Sequence, residues 1–507
     1  MPGLRARVAQ ANGVLPSDAP NTPDCCNGHD HNHGPQQPVN DSRRPRRSKK
    51  IKNTAFATFY GPDWESQLQF LLLMALLLMA GFYATWKLVG GGESLHRMQF
   101  FVPKPFYHIP GSMKRIGDKS VQYQLLRQLY DAMLPNDDER SLSFTKSLHK
   151  HTYQPIKIPE EAYYYDIYNC PPEPPEGYPY AWNILDILNN WPPDDATPHS
   201  DIHQGLCVFD YATDYSKAVH YRNQELPFVV RGDPRVAAAA ERWNAPGYME
   251  QMMNSVPHRA EYSSSNHFLY WMTPPHPPKK RKHGKNPSRK KKLSGGYKVD
   301  IPANWSQPTK MLRMEYVDWL GHANVTDDQL GPDKPHWYYR LIGCGDMGNC
   351  DTGSSEYLFD ELTFFQPKKD QLYLVDHEQQ KGIHCRFGMK GVIAENHFDG
   401  SRNAIVVLGG ERRYILSHPD QCELLALLPK EHPSGRHSAV DWSNPDLESY
   451  PQFAHAKSNE VVLQAGDVLY LPTNWFHYII SLDLNFQCNT RSGVGPEYMP
   501  PIHECGF

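Results

Sequence analysis

The chain has 507 residues, which is enough for two or three domains of ordinary size. Its formal net charge of −4 is small and argues against a polyanionic partner for the chain as a whole. With 39% apolar residues, 45 prolines and 29 tyrosines, the composition favours a loop-rich, β-containing protein over a helical bundle.

The N-terminal part divides into a polar tail and an apolar run. Residues 1–66 are rich in Pro, Asn, Asp and Arg and show no apolar periodicity, which predicts a disordered tail. Residues 70–86 read FLLLMALLLMAGFYATW without a charge, and such a run is long enough to cross a bilayer. We therefore predict a transmembrane helix at 67–89. The alternative is a buried core helix, which would normally carry a polar face.

The charges around this run predict its orientation. Seven of the ten residues 43–52 are Lys or Arg, whereas only Lys87, Arg97 and Lys104 follow the run within a comparable distance. Because positive flanks stay in the cytosol, the tail is predicted to be cytosolic and the rest of the chain lumenal. This is a single-pass type II signal anchor, typical of the endoplasmic reticulum or the Golgi.

Two further features agree with a lumenal location for residues 90–507. Asn304 and Asn324 begin glycosylation sequons. An even number of cysteines on this side permits disulfides in an oxidising compartment, and Cys344 with Cys350 is the favoured local pair. Eight ordinary buried thiols are the alternative. The eight cysteines are Cys170, Cys207, Cys344, Cys350, Cys385, Cys422, Cys488 and Cys505.

Two segments carry no chemistry that the sequence identifies. Residues 90–217 are rich in aromatic residues and proline, and we interpret them as a lumenal stem or N-terminal region. Residues 273–296 contain nine Lys or Arg among the fourteen residues from Lys279. Alone, this pattern is typical of nuclear localisation or nucleic-acid binding. On the lumenal side it predicts a flexible, solvated insertion, with binding of an acidic polysaccharide or a membrane surface as the alternative.

The C-terminal half is predicted to be rich in β-strands. Residues 226–232, 391–400, 403–416, 459–472 and 475–490 are short, β-branched or aromatic, and bounded by Gly, Pro, Asn or Asp. Gly409 and Gly410 tolerate the positive φ angles of a tight turn, so 406–416 is predicted to form a hairpin. Strands without long helices between them indicate an antiparallel barrel or jelly roll.

One group of polar residues in these strands predicts a metal site. His397 and Asp399 are two positions apart, and alternation along a strand points both side chains to the same face. His477 follows eighty residues later, after a Gly-Asp-apolar-Pro strand, and is the candidate third ligand. Two histidines and one carboxylate form a facial triad, which suits Fe(II) that activates O2.

With these motifs the chain resembles the JmjC, or cupin-like, Fe(II)- and 2-oxoglutarate-dependent dioxygenases. The similarity is greatest to the protein-hydroxylase branch that includes the factor-inhibiting asparaginyl hydroxylases. It extends over roughly 220–495, from ELPFVVRG and Trp243 to LNFQCN. The resemblance implies a mainly β fold, a double-stranded β-helix with flanking helices. We therefore predict an oxygenase domain at 218–495 and a C-terminal tail at 496–507.

The resemblance also implies roles for individual residues. His397, Asp399 and His477 match the iron ligands. Arg412 matches the position of a cation, usually lysine, that binds the distal carboxylate of 2-oxoglutarate, and Arg413 is the alternative if the register is shifted by one residue. Asn403 and Asn485 match polar positions near the cosubstrate. Ala394 stands where the family often has a threonine that helps to bind it.

From these matches we predict an oxygenase that hydroxylates a side chain of a protein or peptide, using Fe(II), 2-oxoglutarate and O2. A JmjC-type N-methyl demethylase is the alternative within the same chemistry. A catalytically inactive cupin-like scaffold is the alternative from another class. The expected partners are a protein substrate and the membrane, with no nucleic acid.

Overall fold

The structure is a computed structural model that describes residues 126–130, 151–159, 162, 164–253, 255–272, 305–344, 357–369 and 371–507. All of them belong to the structural unit Gly117–Phe507. Within these ranges no helix combines the length and the apolar character needed to cross a membrane. The predicted tail at 1–66, the predicted anchor at 67–89 and the basic insertion at 273–296 all lie outside the described residues.

In the described part of the chain, β-strands are the more abundant regular structure. The strands are β1 (Gln154–Pro155), β2 (Trp182–Asn183), β3 (Asp201–Ile202), β4 (Val208–Asp210), β5 (Phe228–Arg231), β6 (His258–Ser263), β7 (His267–Phe268), β8 (Lys310–Met314), β9 (His336–Gly343), β10 (Gln380–Gly388), β11 (Ile393–Phe398), β12 (Asn403–Gly409), β13 (Glu411–Ser417), β14 (Lys457–Gln464), β15 (Val468–Leu471), β16 (Phe476–Ser481) and β17 (Asn485–Ser492).

Short helices flank the strands. They are α1 (Ile184–Asn190), α2 (Tyr215–Asn223), α3 (Pro234–Asn244), α4 (Tyr248–Met253), α5 (Tyr316–Ala323), α6 (Tyr357–Glu361) and α7 (Met499–Glu504). The start of α3 follows from its sequence: the Asp233 side chain accepts a hydrogen bond from the Arg235 amide, and Pro234 occupies the first turn, where its missing N–H costs nothing.

The strands form two main sheets. The larger sheet has the order β4-β5-β15-β12-β17-β10-β9-β6-β8, and the smaller has the order β2-β14-β13-β16-β11-β7. A buried cluster includes Ile405 and Val407 of the larger sheet together with Tyr414 and Ile479 of the smaller one. The inner faces of the two sheets therefore pack on each other, and the predicted jelly-roll fold is confirmed.

The prediction of a hairpin at 406–416 was wrong. β12 pairs with β15 and β17, whereas β13 pairs with β14 and β16, so the chain passes from the larger to the smaller sheet at Gly409-Gly410. Gly410 has a φ of +66°, and a Cβ there would lie 2.2 Å from the Leu484 carbonyl oxygen. The glycines are needed for this crossing between sheets, which local turn chemistry does not distinguish from a hairpin.

Helices cover the outer face of the larger sheet. Trp243 of α3 makes edge-to-face contacts with Phe387 of β10 and Phe486 of β17. Both phenylalanines are almost fully buried, and burial of one such side chain stabilises the fold by about 1.5–3 kcal/mol. This packing holds β10 and β17 together, and their inner faces carry part of the candidate site.

Disulfides tie the flanking segments to the sheets. Cys385 and Cys488 lie opposite each other on β10 and β17 and are bonded. The other two described pairs are Cys170–Cys207 and Cys422–Cys505. Disulfide formation by the cysteines of this region is thus confirmed for these pairs. Cys344 is also disulfide-bonded, and Cys350, the partner predicted for it, lies outside the described residues.

The segments on either side of the predicted oxygenase domain pack with it. β2 and β4, from the region predicted as a stem, join the smaller and the larger sheet respectively. At the other end, α7 lies in the predicted C-terminal tail, and Cys505 joins that tail to Cys422. The folded unit therefore includes residues on both sides of 218–495.

Candidate metal centre

Three predicted ligands come together where β11 and β16 pair. His397 of β11 lies directly opposite His477 of β16, with their ring centroids 4.2 Å apart. Asp399 follows the end of β11 on the same side. One potential ligand atom from each of the three residues lies within 4.8 Å of the others. The alternation predicted from the sequence thus directs all three side chains to a common point.

Backbone contacts orient both imidazoles. The Nδ1 of His397 lies 2.7 Å from the Glu395 carbonyl oxygen, and the Nδ1 of His477 lies 3.1 Å from the Trp475 carbonyl oxygen. A carbonyl oxygen can only accept, so Nδ1 carries the proton in each ring and Nε2 keeps its lone pair. This arrangement presents Nε2 of both rings as metal ligands.

Burial keeps the two rings neutral. It lowers the pKa of His397 well below 6.5, and the neighbouring His477 and His437 lower that pKa further. Burial also lowers the pKa of His477, against the opposing effect of the Asp399 carboxylate. Neutral imidazole is the form that binds a metal, so the rings need not lose a proton first.

Asp399 is held as an oriented carboxylate. Its Oδ2 accepts hydrogen bonds from Arg491 at 2.7 Å and from the Asn403 amide at 3.2 Å. Asn403 is itself held by a 2.9 Å hydrogen bond from Asn489. Burial alone would raise the pKa of Asp399, but Arg491 and the two histidines hold it far below its usual value. Two neutral nitrogens and one ionised carboxylate match the donor set that Fe(II) oxygenases use.

The structure separates the two arginines of β13. Arg412 points between the sheets, where its guanidinium donates to Asn485 and Gln487 of β17 and, at 3.0 Å, to the Tyr338 hydroxyl. Arg413 points to the outer face of the smaller sheet. There it pairs with Glu460 at 2.5 Å and lies 4.3 Å from the centroid of the Trp191 ring. Of the two, only Arg412 shares the inner face with the metal ligands.

The surroundings of Arg412 fit an anionic cosubstrate. The side chain is fully buried, and its partners among the described residues are all uncharged: Asn485, Gln487, Tyr338 and the Arg386 carbonyl. A buried cation is stabilised strongly by an anion at short range. The distal carboxylate of 2-oxoglutarate would supply that charge. Ala394, opposite Ile479 on the same inner surface, offers no hydroxyl.

The three predicted cosubstrate residues thus occupy different places. Arg412 and Asn485 contact each other inside the barrel, whereas Asn403 lies behind Asp399 and positions it. Sequence reasoning missed Gln487, Asn489 and Arg491. These continue the polar alternation of β17 that begins at Asn485, and that period of two in NFQCNTR was the available signal. Tyr338, which comes from a distant strand, had no comparable signal.

The chain is similar to known proteins over the region that contains most of these residues. The family model of the cupin-like domain matches residues 217–490. The chain is 37% identical over 105 residues to tRNA wybutosine-synthesizing protein 5 of Gallus gallus, covering 20% of this chain and 31% of that protein. It is 33% identical over 114 residues to lysine-specific demethylase JMJ31 of Arabidopsis thaliana, covering 21% of each.

Jumonji C domain-containing protein 5 of Drosophila melanogaster is 33% identical over 198 residues, with 35% of this chain and 49% of that protein covered. The chain thus spans less than half the length of each of these relatives. The family model, by contrast, covers more than half of the chain, including every residue of the candidate centre named above except Arg491. The chain therefore belongs to the cupin-like, JmjC-type family of Fe(II)- and 2-oxoglutarate-dependent oxygenases.

Proposed function

We propose that this chain is an active Fe(II)- and 2-oxoglutarate-dependent oxygenase that hydroxylates a side chain of a protein substrate. The observation that carries the proposal is the convergence of His397, Asp399 and His477 on the same inner surface as the buried Arg412. When bound, Fe(II) would let O2 act as the oxidant: one oxygen atom would go into the hydroxylated C–H bond and the other into succinate, because 2-oxoglutarate gives up two electrons as it loses carbon dioxide.

The residues of the chain hold and orient these groups. His397 and His477 would bind iron through Nε2, and Asp399 would complete the triad with a carboxylate that Arg491 and Asn403 hold in place. Arg412 would bind the distal carboxylate of 2-oxoglutarate. A facial triad leaves the remaining coordination positions for cosubstrate and oxygen.

The charge of the inner surface favours hydroxylation over demethylation of lysine. A methylated lysine is a cation, and the inner surface carries the guanidinium group of Arg386 beside Arg340 and Arg491, which are already paired with Glu261 and Asp399. Like charges at short range repel, so a cationic side chain would bind poorly there. The proposed reaction thus differs from the one that the names of some relatives, lysine-specific demethylases, describe.

We also propose that residues 90–507 lie in the lumen of the endoplasmic reticulum or the Golgi, behind a type II anchor. Three described disulfides support an oxidising compartment. Asn324, the acceptor of the second sequon, is exposed after α5. The test is a glycosidase-sensitive shift in gel mobility that Asn324→Gln removes or reduces. Mobility that glycosidase does not change would contradict a glycosylated lumenal domain.

Activity is tested with the purified full-length protein. It should bind one Fe(II) and convert 2-oxoglutarate to succinate, and His397→Ala and Asp399→Ala should abolish both. His455→Ala is the matched control, because this exposed histidine lies away from the triad. Iron at one equivalent without 2-oxoglutarate turnover would contradict the enzyme and favour a scaffold. Formaldehyde release in place of a stable gain of one oxygen would indicate demethylation.

A further inference from the structure

A second, half-buried cation lies on the same inner surface as the candidate metal centre. Arg386 of β10 lies opposite Gln487 of β17 and Arg340 of β9. Side chains of directly opposed residues share a face, so Arg386 points between the sheets, as Gln487 does towards Arg412. In the part of the chain that the structure describes, no carboxylate pairs with Arg386, and its buried NH1 has no hydrogen-bond partner.

The neighbouring charges leave Arg386 unneutralised. The Glu261 carboxylate already pairs with both Arg340 and Arg259, at 2.9 and 2.8 Å. Arg491, the other nearby cation, pairs with the metal ligand Asp399. Among the described residues, Glu261 and Asp399 thus each pair with two guanidinium groups, and neither forms an ion pair with Arg386.

Burial and the neighbouring positive charges both lower the pKa values of two side chains on this surface. Burial, followed by the charge of Arg340, lowers the pKa of Arg386 to about 9, at which the group is still charged at neutral pH. Burial, followed by the charges of Arg491 and Arg386, lowers the pKa of His384 to about 3. His384 lies two residues before Arg386 on the same face of β10, so it remains a neutral hydrogen-bonding group.

We propose that Arg386, with Arg340 beside it, binds an anionic side chain of the substrate, and that the substrate is an acidic polypeptide. This inference rests on the proposed function, because it takes Arg412 as the partner of 2-oxoglutarate. Binding of iron would add positive charge to this surface. The distal carboxylate of 2-oxoglutarate would pair with Arg412 and so would not neutralise Arg386. A guanidinium matches a carboxylate with two parallel hydrogen bonds, so Asp or Glu near the oxidised residue fits the subsite.

The placement of the cations favours a peptide over a nucleic acid. Binding to a phosphate backbone uses several cations spread along a surface. Here Arg386, Arg340 and Arg259 occupy opposed positions on adjacent strands and point to one region between the sheets. Such an arrangement holds a single anionic group rather than following a chain of phosphates.

The test uses three synthetic peptide pools of equal length, with Glu, Gln or Lys at fixed positions and random residues elsewhere. Full-length protein with Fe(II) and saturating 2-oxoglutarate should release succinate fastest with the Glu pool and add one oxygen to it. Arg386→Gln should raise the KM for the Glu pool by about tenfold or more, as expected for a lost charge-assisted hydrogen bond. Arg386→Lys should restore part of the affinity.

Two controls separate a subsite from general effects. Lys390→Gln makes the same charge change just after β10, where Lys390 pairs with Asp327 away from the inner face, and it should leave the KM for the Glu pool unchanged. Succinate release without peptide, and the KM for 2-oxoglutarate, should also be equal in wild type and Lys390→Gln. A thermal midpoint within a few degrees of wild type confirms folding, and Arg386→Lys replaces any variant that fails this check.

The possible results distinguish failure of the proposed subsite from failure of the proposed oxygenase activity. Arg386-dependent binding of the Glu pool, measured by calorimetry in an enzyme that releases no succinate, would leave the subsite standing and overturn the proposed function. Succinate release that does not distinguish the pools would overturn the subsite alone. A rise in the KM for 2-oxoglutarate in Arg386→Gln, with unchanged peptide dependence, would assign Arg386 to the cosubstrate. An RNA oligonucleotide that displaces the Glu pool and itself gains oxygen would overturn the peptide assignment.

Discussion

Adjacent arginines on β13 give the sharpest test of the site, because their side chains point to opposite faces. Arg412→Gln removes the cation assigned to the cosubstrate, whereas Arg413→Gln removes one member of a buried ion pair with Glu460. The two substitutions delete the same group one residue apart. Any difference between the two variants therefore reflects which face of β13 the arginine occupies, because the chemical change is the same.

The structure supplies the expected magnitudes. A hydrogen bond to a charged group contributes about 1.5–3 kcal/mol, so loss of the bonds from Arg412 should raise the KM for 2-oxoglutarate by about 10- to 100-fold. The groups left behind, Asn485 and Tyr338 among them, are neutral. Arg413→Gln instead leaves the fully buried Glu460 without its cation, which should lower the free energy of unfolding by about 3–5 kcal/mol.

Two measurements on each variant test the assignment of Arg412 to the cosubstrate and of Arg413 to fold stability. They are the rate of succinate release as a function of 2-oxoglutarate concentration, and unfolding in denaturant. Arg412→Gln should change mainly the KM, with a smaller loss of stability, and Arg413→Gln should change mainly the stability. Arg412→Lys should be intermediate, since lysine keeps the charge but not the planar fork. A raised KM in Arg413→Gln together with a normal KM in Arg412→Gln would refute the assignment.

Three further changes probe the residue behind Asp399, the cross-strand disulfide and a buried histidine. Asn403→Ala removes one of the groups that orient Asp399 and should weaken Fe(II) binding by about 10- to 100-fold, measured by metal titration. Replacing Cys385 and Cys488 together by alanine should lower the free energy of unfolding by about 2–5 kcal/mol, measured in denaturant, with the KM for 2-oxoglutarate unchanged. Burial alone would lower the pKa of His267, but hydrogen bonds to two carboxylates raise it to about 10. The pKa of His267 in the folded protein therefore lies above its ordinary value of 6.5. Protonated His267 stabilises the fold fully below about pH 6.5, and this stabilisation is lost as the pH rises through 10. His267→Gln should therefore flatten the stability profile over that window.

Each of these expectations has a contrary result. Unchanged iron affinity in Asn403→Ala would mean that Arg491 alone orients Asp399. A changed KM in the double cysteine variant would show that the outer face of β10 and β17 influences the pocket. An alkaline loss of stability that persists in His267→Gln would assign the effect to another group.

Periodicity and spacing were sufficient to predict the ligand triad as a group. His397 and Asp399 are two positions apart on one strand, and the strand period alone places them on one face. The β-rich class followed from short apolar runs between turn residues, and disulfide formation followed from the even cysteine count together with the predicted lumenal location. These inferences depend on local chemistry, which the linear sequence carries.

Sheet pairing required the tertiary structure. Gly409-Gly410 suits a hairpin and a crossing between sheets equally well, and only the partners of β12 and β13 distinguish them. The choice between Arg412 and Arg413 depended in the same way on which face of β13 points inward, because a shift of one residue exchanges the faces.

The balance of positive and negative charge between the sheets also depends on the tertiary structure. Arg386, Arg340 and Arg259 are far apart in the sequence, among many other cations of a chain with a small net charge. The pairing register of β10, β9 and β6 brings the three arginines together, and one carboxylate, Glu261, forms ion pairs with two of them. The sequence by itself determined the ligand types and their strand spacing. The tertiary structure decided which cations share the interior with them, because long-range strand pairing is not encoded in any local pattern.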